Sequence, residues 1–459
     1  MDPTLTYLEL WHVQYTLGAL ICGAGVAAYR QHRHTQTMSN AHLFPDALDG
    51  EHLKTEGAEI DSPTCHHRPA TFEEFLRFQR SYLAVYLLCT FSDWLKGPYV
   101  YALYEAYGFS QLQIAWLFVG GFLSSLVFGT FVGSLSDKYG RKRMCLVFCL
   151  VYALSAFTKM VNSFVVLFLG RVLSGVATSL LFTSFESWMV SEHRARGFPE
   201  QLISNTFSKA ILGNGIVAVA AGFVAQAAAN CCGYVAPFMC AVPCLALSSW
   251  LILKWPENYG NQSAKVYETL LRGWEAIVRE RKLQYLGACQ SLFEGAMYVW
   301  VFYWTPCLSH PDGSPVPFGL VFACYMSALM IGGALCDLVA IENLVFPLHS
   351  FSILSVAAAA LMYHNKYIVF LCFVLFEGLV GVYFGVHGTI RSMHIEETTR
   401  SSVMNIFRVP LNSFVVGTLQ VPMASRNVML LLTVVHTLSL GFLKLFVDEV
   451  QEREKTREK

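Results

Sequence analysis

Charge is scarce in this chain. Asp, Glu, Lys and Arg together make up 14% of 459 residues, and with 32 basic and 32 acidic side chains the formal net charge is zero. That balance excludes a nucleic-acid binder, which needs a basic surplus to neutralise phosphates. The fourteen cysteines include no C-x-x-C pair. Cys89, Cys145, Cys149 and Cys372 stand singly inside apolar runs, so they read as small buried hydrophobes and not as a zinc, redox or disulfide framework. No nucleophile–base set, phosphate loop or metal-ligand spacing occurs, so neither an enzyme nor a cofactor is expected.

Apolar residues make up 54% of the chain, in runs long enough to cross a bilayer at roughly 1.5 Å per residue. The expected fold class is therefore an all-α polytopic membrane protein. Residues 5–28 form the first run; no basic residue precedes it, while Arg30 and Arg33 follow. A cleaved signal peptide has the opposite flank charge, so 1–28 reads as an uncleaved anchor with its N-terminus outside. Residues 29–75 form a polar cytoplasmic linker with six histidines, among them His32, His34, His66 and His67.

Further spans are expected near 78–101, 112–134, 143–160, 163–189, 203–229 and 231–254, then near 283–307, 317–340, 345–363, 367–390, 402–422 and 427–447. This divides the chain into a six-helix half at 76–254, a cytoplasmic linker at 255–282, a second six-helix half at 283–447 and a charged tail at 448–459. In the linker Tyr267, Leu270, Leu271, Trp274, Ile277 and Val278 recur at helical spacing opposite Arg272, Glu275 and Arg279, as in an amphipathic helix on the inner leaflet. The charges agree with this topology. Inner segments carry Lys54, Arg68, Lys138, Arg194, Arg196, Lys265, Arg281, Lys282, Arg391 and Arg400 among others, whereas outer loops carry only Lys159, Lys366 and Arg426. The sole N-x-S/T sequon, Asn261-Gln262-Ser263, falls inside and should stay unmodified.

One stretch is more specific. Gly133-Ser134-Leu135-Ser136-Asp137-Lys138-Tyr139-Gly140-Arg141-Lys142-Arg143 is expected to be a tight basic hairpin between two spans. Gly133 would let two helices approach closely, and Gly140 would permit the reversal. Asp137 would accept from free N–H groups at a helix N-terminus or pair with Arg141, and Lys142 belongs to the basic run that holds the hairpin inside. This G-x-x-x-D-K-x-G-R-K pattern resembles the loop between helices 2 and 3 of the major facilitator superfamily of secondary transporters. The resemblance implies two pseudo-symmetric six-helix halves, here with one extra N-terminal helix, and a substrate near midplane at their interface. A repeat near 200 residues agrees with that: Gly133-x-x-x-Asp137 recurs as Gly333-x-x-x-Asp337, Asp93 matches Glu294, Lys209 matches Arg408, and Arg171 aligns with Glu377 when Gly175 is set against Gly381.

An ionised side chain inside a span costs at least ~2.5–3.5 kcal/mol on insertion scales. The spans hold the cations Lys96, Arg171, Lys209 and Arg408 and the acids Asp93, Glu186, Glu294 and Glu377. Mutual neutralisation between helices is the plain account, with Asp93 and Lys96 meeting on one helix face just before Gly97-Pro98. The functional account takes Lys209 and Arg408, on equivalent helices of opposite halves, as two cations facing one another across a path. Pro410 would loosen the helix beside Arg408. Like charges brought together call for an anion between them, and a tetrahedral oxyanion suits an ammonium and a guanidinium. Lys96 and Arg171 are further candidate ligands; Asp93, Glu294 and Glu377 are candidates for gating or coupling, with protons as the coupling ion. Gly170-Arg171-x-x-x-Gly175 also resembles the superfamily's fourth-helix pattern, which implies an Arg near the central cavity.

Phe75-Leu76-Arg77-Phe78-Gln79, Asp93-Trp94-Leu95-Lys96-Gly97-Pro98-Tyr99, Phe185-Glu186-Ser187-Trp188, Trp304-Thr305-Pro306 and Asn405-Ile406-Phe407-Arg408-Val409-Pro410-Leu411 resemble the molybdate-anion transporter family from about residue 72 to about 445. Membership implies uptake of molybdate, a tetrahedral dianion, across the cell membrane. The fifth helix, with Gly213-Asn214-Gly215 and Gly222, lacks the Gly-Pro signature of antiporters, so uptake is expected and not exchange. The rival expectations are a carrier of another small solute (sulfate, a sugar or an organic anion) and a non-transporting receptor or scaffold with the carrier fold.

Overall fold

The computed structural model describes residues 13–14, 16–27, 71–260, 266–309, 315–336 and 338–457, without the side chains of Val266, Tyr267, Thr269, Thr398 and Arg457. The linker histidines, the sequon at 261–263 and Asp337 lie outside the described residues. The described part of the leading helix is α1 (Thr16–Ala27). The first half is α2 (Phe72–Trp94), a 3₁₀ turn and α3 (Val100–Ala106), α4 (Gln111–Tyr139), α5 (Arg141–Phe157), α6 (Phe164–Ala195), α7 (Gln201–Cys232) and α8 (Ala236–Leu253). The amphipathic α9 (Val266–Arg279) leads to the second half: α10 (Arg281–Leu308), α11 (Phe318–Leu335), α12 (Ile341–Leu361), α13 (Lys366–His394), α14 (Glu397–Gln420) and α15 (Ser425–Arg457).

Nine of the described helices are long and apolar enough to cross a membrane. The three other long ones, α2, α10 and α14, carry Gln79 and Asp93, Gln290 and Glu294, and Asn405, Arg408 and Asn412. Apolar side chains such as Leu150, Leu169, Leu354 and Leu361 point outward and are exposed. Hydrocarbon is the solvent that tolerates so much uncovered apolar surface.

The expected break at Gly97-Pro98 is present: α2 stops at Trp94, and a 3₁₀ turn over Gly97–Tyr99 with Pro at its start leads into α3. The basic hairpin is tighter than expected, because α4 stays helical through Tyr139 and α5 begins at Arg141, leaving Gly140 alone between them. Gly140 has φ of +103°, a region open to glycine and strained for other residues. Gly133 does not mark the close approach of α4 and α6, since a Cβ there would find Thr183 at an ordinary 3.9 Å. Closeness falls instead at Gly175, where a Cβ would run into the carbonyl of Gly121, and in the second half at Gly381, where it would run into the carbonyl of Leu329. The two glycines aligned in the repeat thus do the same steric work in both halves.

The described part of α1 leans on the second half. Ile331 of α11 lies 3.0 Å from where a Cβ on Gly23 would be, and Cys324 donates a long sulfur bond (3.9 Å) to the carbonyl of Val13. In α9, Ile277 is buried and Gly273 sits against Ser402 and Val403 of α14, while Leu271, Trp274 and Val278 remain uncovered. That split suits a helix with one face on protein and another on lipid.

Candidate functional site

Contacts between the halves concentrate at the end of the bundle opposite the basic hairpin. Trp94 meets Phe322 (ring centroids 5.8 Å), Tyr101 and Phe118 both meet Phe302 (5.2 and 5.1 Å), and Phe122 stacks on Tyr298 (5.5 Å, 5° between planes). Gln226 accepts from the Tyr99 hydroxyl (2.8 Å) and from the backbone N–H of Gly319 (3.0 Å). The far side is therefore closed by packed aromatics and the Gln226 bridge. Among the described residues no salt bridge joins the halves at the basic end.

Arg408 lies toward the basic side of this aromatic plug. It sits mid-way along α14 between the buried Phe407 and Leu411, yet is itself exposed. Its Nη1 lies 3.8 Å from where a Cβ on Gly129 of α4 would be, which sets it on the seam between halves. Among the described residues its guanidinium has no ion pair or hydrogen bond, although Glu294 and Tyr298 lie within electrostatic range. Helix α14 runs on through Pro410, with the Asn412 side chain donating to the carbonyl of Arg408 (2.7 Å).

Lys209 is not in contact with Arg408. Its ammonium donates to Gln79 of α2 (2.7 Å), and Gln79 in turn donates to Asn205 (3.1 Å) and Thr206 (2.9 Å). Lys209 is half-buried, so this bond holds it at the wall of the first half.

Asp93, Lys96 and Arg171 come together at the far end of the first half. The Asp93–Lys96 helix-face pair does not form, because α2 ends at Trp94 and Lys96 falls on the bend before Pro98. Both residues converge on Tyr152 instead: its hydroxyl donates to Asp93, and the Lys96 ammonium lies over its ring. Arg171 stacks on Phe118 (4.5 Å to the centroid) and donates to the carbonyl of Leu117 (3.3 Å).

Glu294 pairs with Arg391 (3.5 Å) and accepts from Tyr383 (3.0 Å). Glu377 is buried, and its Oε2 has no partner among the described residues. Glu186 is exposed. None of the eight span charges forms a salt bridge with another, although Asp93 lies within electrostatic range of Lys96 and Arg171, and Glu294 within that of Arg408. The partners formed are neutral groups, Tyr152 for Asp93, Gln79 for Lys209 and Leu117 for Arg171, and one charge outside the expected spans, Arg391 for Glu294.

At the hairpin, Arg141 pairs with Asp137 (2.8 Å) and donates to the carbonyl of Ser187 (3.2 Å). The free N–H groups at the start of α5 are taken by Glu257, which accepts from Lys142 (2.8 Å) and Arg143 (3.2 Å). The ammonium of Lys142 donates to the carbonyl of Leu253 (2.9 Å). Of the two roles expected of Asp137, pairing with Arg141 is the one formed. Glu257 was missed because it lies more than a hundred residues away, in a segment with no helical period.

One group could hold a metal by geometry. Cys289, His349 and His387, all buried, bring ligand atoms within 4.8 Å of one another. The two histidines already face each other Nε2 to Nε2 at 3.1 Å, a hydrogen-bond distance that employs both nitrogens.

A family model described as sugar transporters, 12 TM, matches residues 59–376. The molybdate-anion transporter of Takifugu rubripes is 36% identical over 378 residues, covering 74% of this chain and 78% of that protein. That of Xenopus tropicalis is 35% identical over 376 residues, covering 77% and 82%. Among solved structures, the nucleoside transporter NupG superposes with a TM-score of 0.62 at 15% identity, covering 82% of this chain and 99% of that one.

Proposed function

The chain belongs to the major facilitator superfamily, in the molybdate-anion transporter family; on that premise we propose that it takes up molybdate or a similar tetrahedral oxyanion by alternating access, with Arg408 as the principal ligand. The observation that carries this reading is the state of Arg408, a guanidinium in mid-membrane, exposed at the seam and without an acid or hydrogen-bond partner among the described residues. A guanidinium held this way offers paired donors matched to an oxyanion. Lys209 is the second ligand: an approaching dianion competes with neutral Gln79 for its ammonium, and the charged acceptor makes the stronger bond. Glu294, within range of Arg408 and already held by Arg391 and Tyr383, is the coupling group, with protons as the coupled ion. The plasma membrane is the proposed location.

The test is uptake of labelled molybdate by vesicles containing only this protein, with and without a proton gradient. Arg408→Gln should abolish saturable uptake at unchanged protein content, and Arg408→Lys should retain part of it. Unaltered uptake in Arg408→Gln would end the assignment. Competition by sulfate, sugars and organic anions separates molybdate from the rival solutes, and substrate binding without accumulation would identify a receptor.

A further inference from the structure

The far end of the first half holds more positive charge than the Arg408 site explains. Lys159, in the 3₁₀ turn Thr158–Met160 that follows α5, turns its side chain inward. Its backbone carbonyl accepts from the Tyr107 hydroxyl (2.5 Å), and its ammonium lies 3.2 Å from where a Cβ on Gly170 would be. A Cβ on Gly170, the first glycine of the Gly170-Arg171-x-x-x-Gly175 pattern, would run into the Thr158 side chain before it reached Lys159, so the bare glycine lets the turn that carries both pack against α6. Lys96 is 7% exposed and Lys159 2%, and neither ammonium has a hydrogen-bond partner.

The two lysines are held in a way that spares their donors, and Arg171 spends one N–H, on the carbonyl of Leu117. Lys96 lies over the Tyr152 ring, Lys159 is 5.4 Å from the centroid of Tyr104, and Arg171 is stacked on Phe118. Aromatic faces stabilise cations without using up N–H groups. The Tyr104 hydroxyl is buried and also unpartnered. The one carboxylate at hand, Asp93, is already bonded to Tyr152. What remains is a buried cluster rich in donors and poor in acceptors, with three cations against one acid. Buried ammonium groups left without a counter-charge are strongly disfavoured.

We infer that Lys96, Lys159 and Arg171 form a second anion station, closed in this structure, that takes a divalent tetrahedral oxyanion of the same kind as the Arg408 site. A dianion brings the charge of the cluster to zero and supplies the missing acceptors, whereas chloride would leave one positive charge and fewer acceptors. The inference rests on the reading of this chain as an oxyanion carrier, and it makes the far end of the first half a place where the substrate is held on the other side of the Phe122–Tyr298 plug.

The test counts molybdenum bound to the full chain in nanodiscs by equilibrium dialysis in chloride-free buffer. The wild type should hold two anions per chain, displaced by sulfate and not by chloride. Arg408→Gln and Lys159→Met should each hold one, and Lys96→Gln should bind at the far station at least tenfold more weakly. Lys159→Met should also melt at a higher temperature than wild type without anion, yet lose the part of the anion-dependent Tm rise that Arg408→Gln keeps. A wild-type count of one that Arg408→Gln abolishes and both lysine variants preserve would overturn the second station and leave the Arg408 reading standing. A count of one lost in Lys159→Met and kept in Arg408→Gln would do the reverse. Should Lys159→Met fail to fold, Lys96→Gln decides: wild-type count and affinity in that variant would overturn the station.

Discussion

Gly222 and Gly319 touch backbone to backbone across the two halves, so that a Cβ on either would come within 2.6 Å of the other's carbonyl oxygen. The contact closes the far side at a point where no side chain can yield. Gly319→Ala should therefore disfavour the far-closed arrangement by about 1–3 kcal/mol, as overpacking does elsewhere, which corresponds to roughly a 5- to 150-fold shift in population. Labelling of Phe322→Cys by an impermeant thiol reagent, in a background with Cys231 and Cys232 replaced by serine, reads this out as a faster reaction. An unchanged labelling rate would mean that the glycine contact does not govern closure.

Glu294 and Arg391 form a pair whose side chains are only 12% and 17% exposed. Removing one partner of such a pair costs about 3–5 kcal/mol because the other charge stays buried alone. Arg391→Gln should lower Tm markedly, Glu294→Gln less so because a neutral amide can still accept from Tyr383, and the double variant should recover much of the loss. The double-mutant cycle checks this, and additive effects would show that the pair is not coupled.

Glu257 caps α5 from another segment. Glu257→Ala should cost on the order of 0.5–2 kcal/mol, the usual effect of a lost N-cap, visible as a lower Tm. Because the cap ties the α4–α5 turn to the segment after α8, uptake should fall more than the stability loss accounts for. Wild-type transport in a folded Glu257→Ala protein would confine its role to capping.

Lys209→Gln should raise the KM for oxyanion by about 10- to 100-fold, the range for losing a charge-assisted hydrogen bond of about 1.5–3 kcal/mol. Gln79→Leu removes the neutral acceptor that competes with substrate and should leave KM unchanged or lower. Concentration-dependent uptake in the two variants separates these outcomes, and an equal rise in both would make Lys209 a packing residue.

Much of the architecture is legible in the sequence. Spans are read from hydropathy, a local property, and their order, the break at Gly97-Pro98, the amphipathic α9 and the repeat of Gly175 at Gly381 all follow from short windows of residues. Helix ends were less legible: α4 runs to Tyr139 and α6 to Ala195, since a helix that leaves the bilayer keeps its backbone bonds among polar residues. The charges inside the spans could be found, but not their partners. Asp93 and Lys96 were separated by three positions on what a continuous helix would make one face, and the early end of α2 removed that face.

By itself the sequence determined that this chain is a stack of membrane helices in two related halves, with a basic turn at one end and costly ions inside, because apolar run length and charge placement suffice for that. Only the tertiary structure decided that Lys159 turns inward beside Arg171, that Arg391 meets Glu294, that Lys209 rests on Gln79 and that Arg408 is left without a partner. Each of these depends on the rotation of one helix against another dozens of residues away, and no period or spacing along a single chain encodes that angle.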